Sequence, residues 1–196
     1  GLIHVGDSKS HGGRFGDSAV GGLSESLRSL GLELGRLKTG TPPRLLKRSI
    51  NYQKTEAQHG DSPPHFFTFW KERLFHVERS LDYNYSEQND SIGEFPPFSA
   101  LSQNGGQVNC HITFTTSSTA DIIRKNIHKS PLYSGKIKGA GPRYCPSIED
   151  KIIRFHEKER HQIFLEPEGI NTEEVYVNGL STSLPYEVQL ELVQSV

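Results

Sequence analysis

The 196-residue chain contains no methionine, a single tryptophan and only two cysteines. A chain that opens Gly1-Leu2-Ile3 and never uses methionine is expected to be a piece of something longer. Two cysteines, Cys110 and Cys145, do not make a disulfide framework, so a reducing compartment is the default. No apolar run approaches the ~18 residues of a membrane span and no signal peptide is visible, so no membrane association is expected. An excess of either charge is missing as well: a net charge of -1 makes no global case for nucleic acid or an anionic membrane as partner. Neither cysteine has a CxxC partner and the nine histidines are scattered, so no metal site is expected. There is no P-loop and no nucleophile elbow, and the glycines near the start do not spell GxGxxG.

What is present is enough chain for one large or two small domains with a real core. Hydrophobic content is 33% and mean hydropathy -0.56, low for a compact enzyme but not the composition of a disordered chain. The densest chemistry lies in Gly141-Pro-Arg-Tyr-Cys-Pro-Ser-Ile-Glu-Asp-Lys151. A thiol becomes a thiolate at neutral pH beside a positive charge or a helix N-terminus. Arg143 lies two residues before Cys145, and Ser147 with Asp150 three residues on forms a short capping box, which starts a helix just after the cysteine. The residues leave two readings open. Cys145 is either a reactive thiol or a small buried apolar side chain beside an ordinary helix cap.

Along the chain, Gly12-Gly13-Arg14-Phe15-Gly16-Asp17 is a glycine-rich turn after a short apolar start. Leu23, Leu27 and Leu30 recur at helical spacing ahead of Gly31, predicting an amphipathic helix with its leucines in the core. Leu32–Leu37 reads as a short strand leading into Lys38-Thr-Gly-Thr-Pro-Pro-Arg44. Between Gly35 and Lys54 stand Arg36, Lys38, Arg44, Lys47, Arg48 and Lys54 without an acid, either a solvated face or a phosphate-contacting one. An aromatic run Phe66–Trp70 precedes Lys71–Ser99, which has no clear period and reads as an irregular insertion. Val108–Thr115 alternates as a half-buried strand with Cys110 on its apolar face. Ser118 or Thr119 caps a helix to about Lys129 with Ile123 and Ile127 on one face. Strands are expected at Gln162–Leu165 and Val175–Val177, and a last helix begins at Pro185 with Val188 and Leu192 inward. Glu166 and Glu168 could form an acid/base pair, although carboxylates at a strand end are usually solvated or bonded to backbone N–H groups.

Seven blocks carry a resemblance: Gly12-Gly13-Arg14-x-Gly16-Asp17, Gly35 to Arg44 (GRLKTGTPPR), His59-Gly-Asp61, Ser130-Pro131, Gly141 to Lys151, Phe164-Leu-Glu-Pro-Glu-Gly169 and Asn178-Gly-Leu-Ser-Thr-Ser-Leu-Pro185. In this order and spacing the chain resembles the glucose-inhibited division protein A family, the tRNA uridine 5-carboxymethylaminomethyl modification enzymes. The resemblance implies an α/β fold: part of an FAD-binding Rossmann-type domain (1–44 and 141–196) carrying an inserted smaller α+β domain (45–140). It implies an FAD- and NADH-dependent enzyme that modifies the wobble uridine of tRNA with a folate one-carbon unit and glycine or ammonium. A GTPase partner, a homodimer and a cytoplasmic or mitochondrial location come with it.

Carried over residue by residue, the resemblance makes Cys145 the catalytic cysteine. It places Gly12, Gly13, Arg14, Val20, Lys38, Thr39, Gly40 and Thr41 near FAD. It assigns Gly141, Pro142, Arg143, Tyr144, Cys145, Pro146, Ser147, Ile148, Glu149, Asp150, Lys151 and Phe155 to the nicotinamide side, and it assigns no metal. Several family features are absent from this stretch: the GxGxxG strand, a second functional cysteine, a later glycine-rich segment and a helical tail. Pyrophosphate binding depends on that strand–turn–helix, so this stretch alone is expected to bind FAD weakly. Ser18-Ala19-Val20 replaces a family serine after Gly-Asp, and Lys71–Ser99 is longer than the family's pattern. Two other functions fit the residues: a tRNA- or partner-binding module without activity, or another two-dinucleotide flavoprotein oxidoreductase.

Overall fold

The computed structural model describes residues 1–14, 16–62, 64 and 105–196. The aromatic run Phe66–Trp70 and the expected insertion Lys71–Ser99 therefore lie outside the described residues. By its internal contacts the chain divides into one unit of Gly1–Ala57 with Cys110–Val196 and a second of Gln58–Asn109. In the second unit, His59 Nδ1 lies 3.2 Å from Asn109 Oδ1, and Gln107 donates to Asp61 O at 2.9 Å.

The fold of the first unit mixes helix and sheet. Strands β1 (Leu2–Val5) and β2 (Ser8–His11) form an antiparallel hairpin. Strands β3 (Arg44–Leu46), β4 (Glu56–Gln58), β5 (Cys110–Phe114), β6 (Gln162–Pro167) and β7 (Glu174–Asn178) form a sheet in the order β3-β7-β6-β5-β4. The β3–β7, β5–β6 and β6–β7 pairings are antiparallel. Four helices are described: α1 (Gly22–Ser29), α2 (Ser117–Asn126), α3 (Ile148–Arg154) and α4 (Tyr186–Gln194). Strands β6 and β7 alternate as half-buried strands must, and their inward residues Ile163, Leu165, Val175 and Val177 meet Ile123 of α2, Ile148 and Ile152 of α3, and Val188 and Leu192 of α4. Leu180 and Leu184, in the loop between β7 and α4, close the same core.

Local rules account for the helix starts. Ser147 accepts from Asp150 N at 3.1 Å, the cap expected from sequence. Pro185 takes the N-cap of α4, one residue outside the expected first turn, and Val188 and Leu192 are buried as predicted. The cap of α2 is Thr116, two residues before Ser118: extended backbone there lets its hydroxyl accept from Thr119 N while Thr119 Oγ1 accepts from Thr116 N. The helix then tightens into a 3₁₀ turn at Ile127–Lys129.

Three expectations are corrected. Helix α1 forms where predicted, yet Leu23 and Leu30 are exposed at 65% and 76% and the helix has no buried residue. Its apolar stripe has no cover among the described residues. Leu32–Leu37 is no strand: Leu37 alone pairs, in a parallel bridge to Ala140, because no neighbouring strand among the described residues offers the rest a ladder. The alternation in β5 does not become one wet and one dry face, and Cys110 is half-buried rather than in the core. The polar face is covered by Tyr52, 4.5 Å ring to ring from His111, and by Thr55 Oγ1 at 2.8 Å from His111 Nδ1. On the other face Arg160 stacks on Phe114 at 4.1 Å.

His161 at the entry to β6 carries a stability prediction. It is 8% exposed, its backbone N–H donates to Thr115 Oγ1 at 2.8 Å, and its Nε2 has no partner. Burial, then Lys151 and Lys158, push the imidazole below its ordinary 6.5, with Glu157 opposing. A depressed base favours the neutral form in the fold, so the unfolded chain takes up the proton first as pH falls. Its contribution is complete above 6.5 and is lost as pH drops from there through the folded value. Thermal unfolding followed across that window should show a falling midpoint, and His161→Leu should flatten it; an equally steep fall in the variant would exclude His161 as the source.

Candidate functional site

Two blocks distant in sequence meet at one thiol. Thr39 Oγ1 lies 3.2 Å from Cys145 Sγ, a contact spanning 106 residues. Cys145 is exposed, so the reading of a buried apolar side chain does not hold.

The Thr39 loop is fastened on both sides. Lys38 N donates to Ala140 O at 2.9 Å and Lys38 Nζ to Ile137 O at 3.3 Å. Thr41 and Thr182 exchange backbone bonds of 3.2 and 3.4 Å. Gly40 is buried between them, and a Cβ there would stand 2.6 Å from Thr182 N.

The cation expected beside the thiol turns to a ring instead: Arg143 places its guanidinium over the Tyr144 ring at 5.1 Å. Lys151, on the first turns of α3, is half-buried. Burial lowers the Lys151 ammonium from its ordinary value, and the thiolate of Cys145 acts in the opposite sense. Its Nζ donates to Gly179 O at 3.2 Å. On β7, burial raises the Tyr176 phenol, Arg44 opposes, and Cys145, Glu166 and Glu168 add to the rise.

Behind this surface lies a buried polar node. Glu149 is 0% exposed, and its Oε1 accepts from Ser130 Oγ at 2.9 Å, Thr182 Oγ1 at 2.9 Å and Ser183 N at 3.3 Å. Ser183 Oγ lies 3.0 Å from Ser130 Oγ and accepts from Leu132 N at 3.1 Å. Glu149 Oε2 has no partner. Ile148 is likewise 0% exposed. Within the 141–151 block, Ile148 and Glu149 thus face inward with Ser147, while Gly141, Arg143, Tyr144, Cys145 and Pro146 face solvent and Pro142, Asp150 and Lys151 are half-buried. Phe155, 43% exposed, carries Lys158 Nζ at 5.8 Å from its ring centre.

The glycine-rich block near the start is held elsewhere. Arg14 Nε lies 2.8 Å from Asp17, and its NH1 and NH2 lie 3.3 and 3.4 Å from Glu168 and Glu174. Arg44 Nε lies 2.6 Å from Glu168, with its guanidinium 4.4 Å over Tyr176. Glu166 accepts from Asn178 at 2.9 Å. Both candidate acid/base carboxylates are therefore engaged with partner side chains. Of the basic run, Lys38, Arg44 and Arg48 have partners in the chain, while Arg36, Lys47 and Lys54 are exposed.

The exposed part of the 141–151 block combines an open backbone with a cation and a ring. A Cβ on Gly141 would meet only Lys38 O at 4.0 Å, so the backbone is open, and Arg143 with Tyr144 offers a positive charge and a π face. Around the first block the fit is narrower. Gly13 is open and Val20 is 79% exposed, whereas a Cβ on Gly12 would meet Asp17 O at 2.8 Å. Gly12 and Gly40 serve chain-on-chain packing. Among the described residues no three His, Cys, Asp or Glu side chains cluster as a metal site, and no helix is long and apolar enough to cross a membrane.

Sequence reasoning gave no role to Ser130, Thr182 and Ser183. The available signal was a hydroxyl triplet, Ser181-Thr182-Ser183, flanked by Leu180 and Leu184, which is a polar run in an apolar frame that must bond internally.

The family profile described as Glucose inhibited division protein A matches residues 1–91 and 76–196. The tRNA uridine 5-carboxymethylaminomethyl modification enzyme MnmG of Protochlamydia amoebophila is 52% identical over all 196 residues, which cover 27% of that protein. The enzyme of the same name from Chlamydia trachomatis is 50% identical over the full chain, covering 28% of its length. The crystal structure of Aquifex aeolicus GidA superimposes with a TM-score of 0.67 at 49% identity, over 99% of this chain and 29% of that one. The chain thus spans under a third of the length of these relatives.

Proposed function

The chain belongs to the glucose inhibited division protein A family, and from that premise we propose that it is part of an FAD-dependent enzyme installing a carboxymethylaminomethyl group on C5 of the wobble uridine of tRNA. The observation that carries the reading is the Thr39–Cys145 contact at 3.2 Å, which sets an exposed thiol between two of the blocks that define the resemblance. Residues 1–44 and 141–196 are assigned to the FAD-binding domain and 45–140 to the inserted domain, with the compact unit Gln58–Asn109 inside the insertion.

Cys145 is the reacting group. Thr39 fixes the direction of Sγ. Arg143 and Tyr144 hold the charged and planar parts of reduced nicotinamide adenine dinucleotide. Gly13, Val20 and the Lys38–Thr41 loop approach FAD, with Gly12, Arg14 and Gly40 shaping the backbone that does so. When bound, the flavin supplies the electron-transfer chemistry of the reaction. The remaining co-substrates are tRNA, a folate one-carbon unit and glycine or ammonium. A GTPase partner, a homodimer and a cytoplasmic location complete the proposal.

The test uses the full protein. Incubated with its GTPase partner, unmodified tRNA, a methylene-folate, glycine, FAD and NADH, it should yield carboxymethylaminomethyluridine in nucleoside digests read by mass spectrometry. Absence of that nucleoside with all components present would overturn the reading.

A further inference from the structure

Glu149 is the one carboxylate among the described residues that is wholly buried yet reaches no cation: its hydrogen bonds come from Ser130, Thr182 and Ser183. Those residues belong to three segments that do not otherwise share an element. Ser130 ends the turn after α2, Glu149 sits in α3, and Thr182-Ser183 lies between β7 and α4. A carboxylate oxygen accepting three donors is a strong fastening point, because without it the Thr182 hydroxyl proton and the Ser183 N–H would lose their acceptor in a buried place.

The fastening leads outward in two steps. Thr182, held by Glu149 through its hydroxyl, is bonded through its backbone to Thr41. Thr41 is two residues from Thr39, whose hydroxyl meets Cys145 Sγ. Glu149 is also four residues from Cys145 on its own strand of chain, and Ile148 N donates to Ser181 O at 2.8 Å. Both sides of the thiol contact are therefore tied to one buried carboxylate.

We infer that Glu149 is a positioning residue, which holds the Thr39 loop and the Cys145 loop in register so that the Thr39 hydroxyl stays on the thiol. The inference rests on Cys145 as the reacting group of the proposed function. Its test reads the thiol itself, so it can fail while the enzymatic reading stands, and the reverse. Glu149 Oε2 is buried and has no hydrogen-bond partner among the described residues.

In the full protein, iodoacetamide alkylation of Cys145 is followed by peptide mass spectrometry across pH. Among the described residues Thr39 touches the thiol from its loop, and Lys151 of α3 and Tyr176 of β7 are the groups whose charge couples to it. Glu149→Ala releases the Thr182 side of the node and should raise the midpoint of the alkylation profile by about half a pH unit, roughly a threefold fall in rate below the midpoint, as a hydroxyl donor to the thiolate is lost. Glu149→Gln keeps an acceptor oxygen for the three donors and should keep the wild-type midpoint. If Glu149→Ala does not fold, Thr182→Val breaks the same route and should give the same rise. Leu192→Ala, a core change in α4 outside the node, should leave the midpoint in place. A fall in both Glu149 variants would mean that the carboxylate acts only through its charge. No rise in Glu149→Ala or Thr182→Val, or an equal rise in Leu192→Ala, would also overturn the inference.

Discussion

Replacing Cys145 by serine in the full protein is expected to lower wobble-uridine modification by about 100-fold or more, with little change in thermal stability. The two side chains are nearly the same shape, and Cys145 is exposed, so no core contact is lost. What changes is the chemistry at the atom that Thr39 meets at 3.2 Å. A serine hydroxyl lacks the nucleophilicity of sulfur and has no adjacent base among the described residues to activate it. The internal control is Cys110→Ser. Burial, and secondarily Glu166, raise the Cys110 thiol, which makes it a poor nucleophile, and this variant should keep its activity. Modified nucleoside in tRNA digests is the readout. Undiminished product from Cys145→Ser would remove the cysteine from the reaction.

The second large effect is steric. Gly40→Ala would place a methyl 2.6 Å from Thr182 N, 2.8 Å from Ser181 C and 3.1 Å from Thr182 Cα. All three are backbone atoms, so no side-chain rotation relieves the clash. One segment must move, at about 1–3 kcal/mol for overpacking, and the two Thr41–Thr182 bonds that hold the segments together are lost with it. A fall of several degrees in the unfolding midpoint follows at roughly 2–4 °C per kcal/mol for a chain of this size. Because Thr39 rides on the displaced loop, modification should fall further than stability alone explains. Gly21→Ala is the reference, since a Cβ there meets nothing within 4 Å, and its stability should stay within about 0.5 kcal/mol of the wild type. Equal midpoints for the two alanine variants would refute the packing argument.

Features decided within one or two turns of chain were legible from the residues. Ser147 with Asp150 names its own helix start, and Val188 with Leu192 names the inner face of α4. Features that depend on a distant partner were not. The stripe Leu23, Leu27, Leu30 announces a helix and a face, but a 3.6-residue period says nothing about what covers that face. Leu32–Leu37 has strand composition without a strand beside it, and a ladder needs both. At the site, adjacency suggested Arg143 as the cation for Cys145, yet a side chain two residues away had an aromatic ring closer to hand. Lys151, six residues on, sits in α3 with its ammonium on Gly179 O. The family resemblance supplied the block as a whole, and the structure separates its outward members from Ile148 and Glu149, which face the core.

The buried node has a consequence for the order in which the molecule assembles. Its three links close loops of 19, 33 and 34 residues, and the two longer ones, to Thr182 and Ser183, span the β6–β7 hairpin and cannot form until it has turned the chain back. Contacts of long sequence separation cost chain entropy before they repay it, so helices α2 and α3 and the hairpin form ahead of the node. The thiol is thus chemically exposed on the nascent chain before Thr39 is delivered to it.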